Sequence, residues 1–167
     1  MKRTQILATL FAVIAVFTTS CGTGDKIGSV TVTAVGASGG IVNISGLGST
    51  LQLHVTANYT SGKTIDETNF ATYTVTPFGV DDTGTPLPAP PSTVSISKTG
   101  MITSVNPAVC VWENLGTTST PSWFYQGDYQ ITATYRGFTS NPIYVPIASA
   151  ADTITGQVGQ CGPASSN

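Results

Sequence analysis

A chain of 167 residues, rich in threonine, serine, valine and glycine and charged at only 8% of its positions, holds one domain with one modest core. Its 18 glycines and 10 prolines break the sequence at short intervals, which favours strands and turns over helices. Six Lys and Arg against eight Asp and Glu leave no basic surface, so nucleic-acid binding, which rests on neutralising phosphates, is disfavoured.

The chain opens with two cations, Lys2 and Arg3, followed by an apolar run from Ile6 to Phe17 that is too short for a membrane span. Residues 1–20 therefore read as an export signal. The signal ends in Thr18-Thr19-Ser20-Cys21-Gly22, which resembles the lipobox of bacterial lipoproteins: small residues before a cysteine that is diacylated and becomes the new N-terminus. That family prefers Leu or another aliphatic residue where this chain has Thr18. An ordinary signal peptide cut near the same place is the competing reading, because Thr18 and Ser20 also satisfy a small-x-small rule. The lipobox resemblance implies lipid attachment at Cys21 and a membrane held through that lipid. With Gly22 rather than an aspartate after the cysteine, it also implies export to the outer membrane or cell surface. Cleavage removes Lys2 and Arg3, leaving Lys26, Lys63, Lys98 and Arg136 against all eight carboxylates, a net charge of −4.

Once Cys21 is assigned to lipid, two cysteines remain, in a compartment where disulfides persist. Cys110 and Cys161 are expected to pair. The loop of about fifty residues that they close corresponds to roughly 4 kcal/mol in the chain-entropy model.

Residues 21–28 form a short polar tether, and a strand follows over Ser29–Val35 with Val30, Val32 and Ala34 on one face. Gly36–Gly40 breaks it, and Ile41–Ile44 resumes, as a strand does when it moves from one sheet to another. After a turn at Gly46–Ser49, Leu51–Tyr59 alternates throughout, with Leu51, Leu53, Val55, Ala57 and Tyr59 inward and Gln52, His54, Thr56 and Asn58 outward. Ser61–Lys63 turns the chain into a strand at Phe70–Val75, with Ala71, Tyr73 and Val75 inside. Residues 76–92 carry half of the prolines and read as a stiff loop with polyproline character.

Val94–Val105 is a glycine-centred hairpin, with Val94, Ile96 and Ile102 sharing the buried face and Ser95, Ser97 and Thr103 outside. A second long insertion, 106–126, holds Cys110, Trp112, Trp123, Phe124 and Tyr125. Gly127–Tyr135 reads as a central strand, and Ile143–Ile147, demoted to a sheet edge by Pro142 and Pro146, closes a domain spanning 29–147. Residues 148–167 are a small-residue tail, pinned if Cys161 is bonded.

The hairpin Val-Ser-Ile-Ser-Lys-Thr-Gly-Met-Ile-Thr-Ser-Val and the strand Gly-Asp-Tyr-Gln-Ile-Thr-Ala-Thr-Tyr resemble the group 2 bacterial immunoglobulin-like domain of the invasin and intimin type. The family's glycine-centred hairpin falls on Gly100 with Ile96 and Ile102. Its Gly-x-x-x-Ile-Thr-Ala strand falls on Gly127, Ile131, Thr132 and Ala133. Two features depart from the family: Phe70 or Tyr73 stands where a tryptophan is common on the third strand, and the two long insertions are not typical. The resemblance implies an immunoglobulin-like sandwich of two sheets, and about seven short antiparallel strands with regular turns lead independently to an all-β, two-sheet sandwich. Strands alternating up and down then bring the proline loop, the aromatic insertion and the tail to the end opposite the anchor, with Cys110 and Cys161 together there.

No phosphate-binding glycine loop, metal-spaced His/Cys set or Ser-His-Asp order is present, so the reading is non-enzymatic, with no catalytic residue, metal or cofactor. His54, the only histidine, has no acidic or cysteine neighbour in its strand and reads as solvent-facing. Asp66-Glu67 and Asp81-Asp82 lack a regular Ca²⁺ loop and read as turn acids. Asn43 and Asn58 fall in glycosylation sequons, which carry no meaning in a bacterial lipoprotein. The aromatic insertion is the functional lead. Trp112, Trp123, Phe124 and Tyr125 are either exposed anchors for a surface protein or glycan, or a private core folded over the end of the sandwich. The expected role is a structural or adhesive envelope module; the alternative is a carbohydrate- or peptide-binding lipoprotein using loop 106–126.

Overall fold

Alternation of apolar and polar residues decides which segments pair and which face each one buries. The computed structural model describes residues 24–36, 42–117, 119–120 and 122–151. Its strands, in chain order, are β1 (Ile27–Ala34), β2 (Ile44–Ser45), β3 (Thr50–Tyr59), β4 (Thr64–Asp66), β5 (Thr72–Gly79), β6 (Val94–Ile96), β7 (Met101–Ser104), β8 (Trp112–Asn114), β9 (Trp123–Tyr125), β10 (Gly127–Tyr135), β11 (Phe138–Thr139), β12 (Ile143–Val145) and β13 (Ile147–Ala148). The fold is all-β.

One sheet has the order β1-β3-β7-β6, with β4 pairing the same edge of β3 beyond β7. In the other, β10 is central, flanked by β5 on one side and by β12 and β11 on the other. This is the ABED and CFG strand order of a constant-type immunoglobulin sandwich. Val30, Val32, Leu53, Val55, Ala57, Val94 and Ile102 from the first sheet meet Tyr129, Ile131, Ala133 and Val145 from the second in one core. Leu51, Tyr59 and Ile96, expected inside, are half-buried at or near strand ends.

The chain leaves the first sheet after β1, but it does not join the second as expected: Ile44, buried, leads β2, which pairs β13 in parallel as a separate two-stranded sheet. Pro146 divides the expected closing strand: β12 pairs β10, while β13 pairs β2. Proline has no amide hydrogen to continue a ladder, and here the chain changes partners at that residue.

Two further expectations need correction. The strand expected at Phe70–Val75 begins instead at Thr72 and runs to Gly79, because β10 supplies partners as far as Gly127. Pro77 is tolerated within it, since β5 is an edge strand. At its end the backbones close up: a Cβ on Gly127 would sit 2.4 Å from the Val80 carbonyl oxygen, and one on Gly79 2.3 Å from that of Gln126. Second, the packed body runs beyond 29–147. β1 starts at Ile27, and Ala148 and Ser149 are buried rather than part of a tail. The tether is also shorter than 21–28, because the Ser61 amide and hydroxyl donate to the Asp25 carboxylate at 3.2 and 2.7 Å and the Thr60 amide donates to the Lys26 carbonyl at 2.8 Å.

The hairpin glycine has a similar origin to the Gly79–Gly127 approach. Gly100 has φ +75°, and a Cβ there would lie 2.7 Å from the Tyr73 hydroxyl oxygen. That hydroxyl donates to the Thr68 carbonyl at 2.9 Å. Burial, with Asp66 nearby, pushes the Tyr73 phenol up to about 12 from 10.0, and burial also raises Tyr129. A raised phenol pKa favours the protonated folded state, so this stabilisation is complete below pH 10 and is lost as pH rises through about 12. Melting temperature is therefore expected to fall across that interval, and less steeply in Tyr73→Phe; thermal melts against pH measure it.

Candidate functional site

The two ends of the sandwich differ. At the near end β1 begins and β3 and β10 finish; at the far end β3 and β10 begin. The proline loop, the aromatic insertion and the chain after β12 all meet at the far end, as expected for the described residues. Their backbones bond directly. The Asp82 amide donates to the Cys110 carbonyl at 2.7 Å, the Gln126 amide to the Val111 carbonyl at 2.9 Å, and the Ser149 and Ala150 amides to the Val109 carbonyl at 2.8 and 3.0 Å. The Val109 amide in turn donates to the Ser149 hydroxyl at 3.0 Å. Leu87 is buried beneath this cap, and the Tyr129 hydroxyl, rising from the core, donates to the Pro88 carbonyl at 2.9 Å.

Val109, Cys110, Val111 and Trp112 are buried in succession, all within the core cluster. The Cys110 sulfur lies 3.2 Å from the Trp112 carbonyl oxygen. Beyond them the chain forms a hairpin, β8 with β9, in which Trp112 is paired with Tyr125, Glu113 with Phe124 and Asn114 with Trp123. The Leu115 amide donates to the Ser122 carbonyl at 2.9 Å, and Thr117 turns the chain by accepting at its hydroxyl from the Thr120 amide at 3.1 Å. Leu115 and Phe124 are 60% and 51% exposed. Toward the base of the same hairpin, the Gln126 side-chain amide donates to the Glu113 carboxylate.

The predicted aromatic set thus divides. Trp112 belongs to the core and is no surface anchor, whereas Phe124 is exposed. Trp123 and Tyr125 contribute backbone to β9, and their side chains lie outside the described residues. So do Cys21, the export segment 1–20 and Cys161, the expected partner of Cys110. Leu115 was not singled out by sequence, since one leucine in a polar turn carries no pattern. The tip offers apolar side chains beside a carboxylate. No Lys, Arg or His occurs in segments 80–92 or 106–130, which carry Asp81, Asp82, Glu113 and Asp128.

The other candidates are accounted for locally. Asp81 accepts from the Thr83 amide and hydroxyl at 2.9 and 2.6 Å and from the Thr85 amide at 2.9 Å; these hydrogen bonds outweigh its desolvation and lower its pKa. Asp66 accepts from the Thr68 hydroxyl and amide at 2.5 and 2.9 Å, and those bonds, with His54, hold its carboxyl below the ordinary value. His54 faces solvent as expected, but β4 brings Asp66 to 3.7 Å from its Nδ1. That neighbour comes from a different strand and leaves no mark in the sequence around His54. Phe78 and Tyr144 form an edge-to-face pair with centroids 5.6 Å apart on the outer face of the second sheet.

No family model matches the chain, and none of the curated proteins matches it significantly.

Proposed function

We propose that this chain is a lipid-anchored, non-enzymatic immunoglobulin-like module of the bacterial cell envelope, of the group 2 kind, with a structural or adhesive role. Acyl chains on Cys21 moor it, and a Cys110–Cys161 disulfide staples the far end. The observation that carries the reading is polarity: the described chain enters at the near end through Asp25 and Lys26, while the elaborated cap and its exposed hairpin occupy the other end. Such a body holds its tip away from the surface to which it is tied. Metabolic labelling with a fatty-acid analogue tests it. The wild type is expected to take up label and Cys21→Ala to lose it while still exported; label retained in Cys21→Ala overturns the anchor.

A second reading, a carbohydrate- or peptide-binding lipoprotein, is favoured by the exposure of Leu115 and Phe124 on one hairpin. It places the ligand on that hairpin rather than on Trp112. Loss of glycan-array or peptide-array signal in Leu115→Ser with Phe124→Ser, at unchanged melting temperature, would select it.

A further inference from the structure

Cations are unevenly placed along the long axis: none lies in the far-end segments, which carry four carboxylates. Only four basic residues follow Cys21, and three of them, Lys26, Lys63 and Arg136, lie exposed at the near end. The Lys63 carbonyl accepts from the Tyr59 amide at 2.8 Å, Tyr59 pairs with Ile27 next to Lys26, and Arg136 follows Tyr135, over whose ring its guanidinium lies at 5.2 Å from the centroid. Three carboxylates share this end and balance the three cations: Asp25 is held by Ser61, Asp66 by Thr68 with His54 3.7 Å away, and Glu67 is buried. A third feature shares the location. Phe70, 75% exposed, precedes β5, whose first residue pairs with Thr134, and Phe138, 41% exposed, pairs with Tyr135.

Cations interleaved with exposed aromatic rings suit an anionic lipid surface, where ammonium and guanidinium groups meet headgroup phosphates and rings enter the interface. The far end, with four carboxylates and no cation in its segments, would be repelled by the same surface. We propose that the near end is a docking face for anionic phospholipid headgroups, so that the domain stands upright on its membrane rather than swinging from it. This rests on the lipid-anchor reading. Four peptide steps from Cys21 to the clamped Asp25 reach at most about 14 Å, which keeps these cations close to the headgroups and lets individually weak contacts act together.

The mature chain carries its own control, since its lysines are Lys26, Lys63 and Lys98, the last in the β6–β7 turn beside the middle of β3. Acylated full chain is reconstituted into vesicles of phosphatidylcholine alone, or of equal parts phosphatidylcholine and phosphatidylglycerol, and amine acetylation is followed residue by residue by mass spectrometry. Lys26 and Lys63 are expected to react several-fold more slowly on the phosphatidylglycerol vesicles, Lys98 at the same rate on both, and high salt should abolish the difference. Equal rates at Lys26 and Lys63 on both vesicles, or equal slowing of Lys98, overturn the proposal. Flotation with phosphatidylcholine alone reads the anchor separately. A chain that floats without lysine protection overturns the docking face and leaves the anchor standing, and one that does not float overturns both.

Discussion

Tyr129→Ala is expected to destabilise the domain by about 4 kcal/mol, measured by denaturant unfolding. Tyr129 is fully buried at the start of the central strand, and its ring fills the core where the two sheets meet the cap. Truncation would open a cavity walled by rigid strands, and little around it can collapse to fill the space. Tyr129→Phe separates the ring from its hydroxyl. That variant keeps the packing and loses the bond to the Pro88 carbonyl, and it should cost only about 1 kcal/mol. If the two variants cost the same, the cap bond rather than the core contact would be the chief contribution of this residue.

Trp112→Ala is expected to cost about 3 kcal/mol, read as a fall in melting temperature, even though the residue lies in an insertion. Its side chain is only 7% exposed and belongs to the core cluster. Phe124, paired with the neighbouring Glu113 across the hairpin and half exposed, makes the opposite case. Phe124→Ser should change stability by no more than about 0.5 kcal/mol. A loss of ligand in Trp112→Ala would therefore report unfolding, whereas the same loss in Phe124→Ser would report contact. An unchanged melting temperature in Trp112→Ala would place the insertion outside the core.

Strands with strict alternation were legible in sequence because period-two burial is local information: β1 and β3 bury Val30, Val32, Leu53, Val55 and Ala57 as their patterns select, while Ala34, Leu51 and Tyr59 at the strand ends are half-buried. The glycine-rich break after β1 was legible as well, but not the partner of the segment beyond it, because β13 lies about a hundred residues further on. What sequence did not reveal depends on partners far along the chain. β5 continues through Pro77 because Gly127 and Asp128 are available beside it, and Asp66 meets His54 because β4 pairs with β3. The fate of the aromatic insertion lies between these cases. Val109 to Trp112 is an unbroken apolar run, which signals full burial, and the aromatic cluster downstream drew attention away from it. That the turns at Lys63 and Arg136 share the end where β1 starts follows from strands alternating up and down.

The account depends on one arrangement: membrane at the end where β1 starts, and the β8–β9 hairpin at the other. Fluorophores on Thr64→Cys, near the first end, and on Ser119→Cys, at the hairpin tip, can be compared in acylated protein on vesicles carrying a lipid-borne quencher. With sheets running roughly 30 Å from end to end, the Thr64→Cys probe should be strongly quenched and the Ser119→Cys probe hardly at all. Equal quenching of the two, or stronger quenching at the tip, would contradict it.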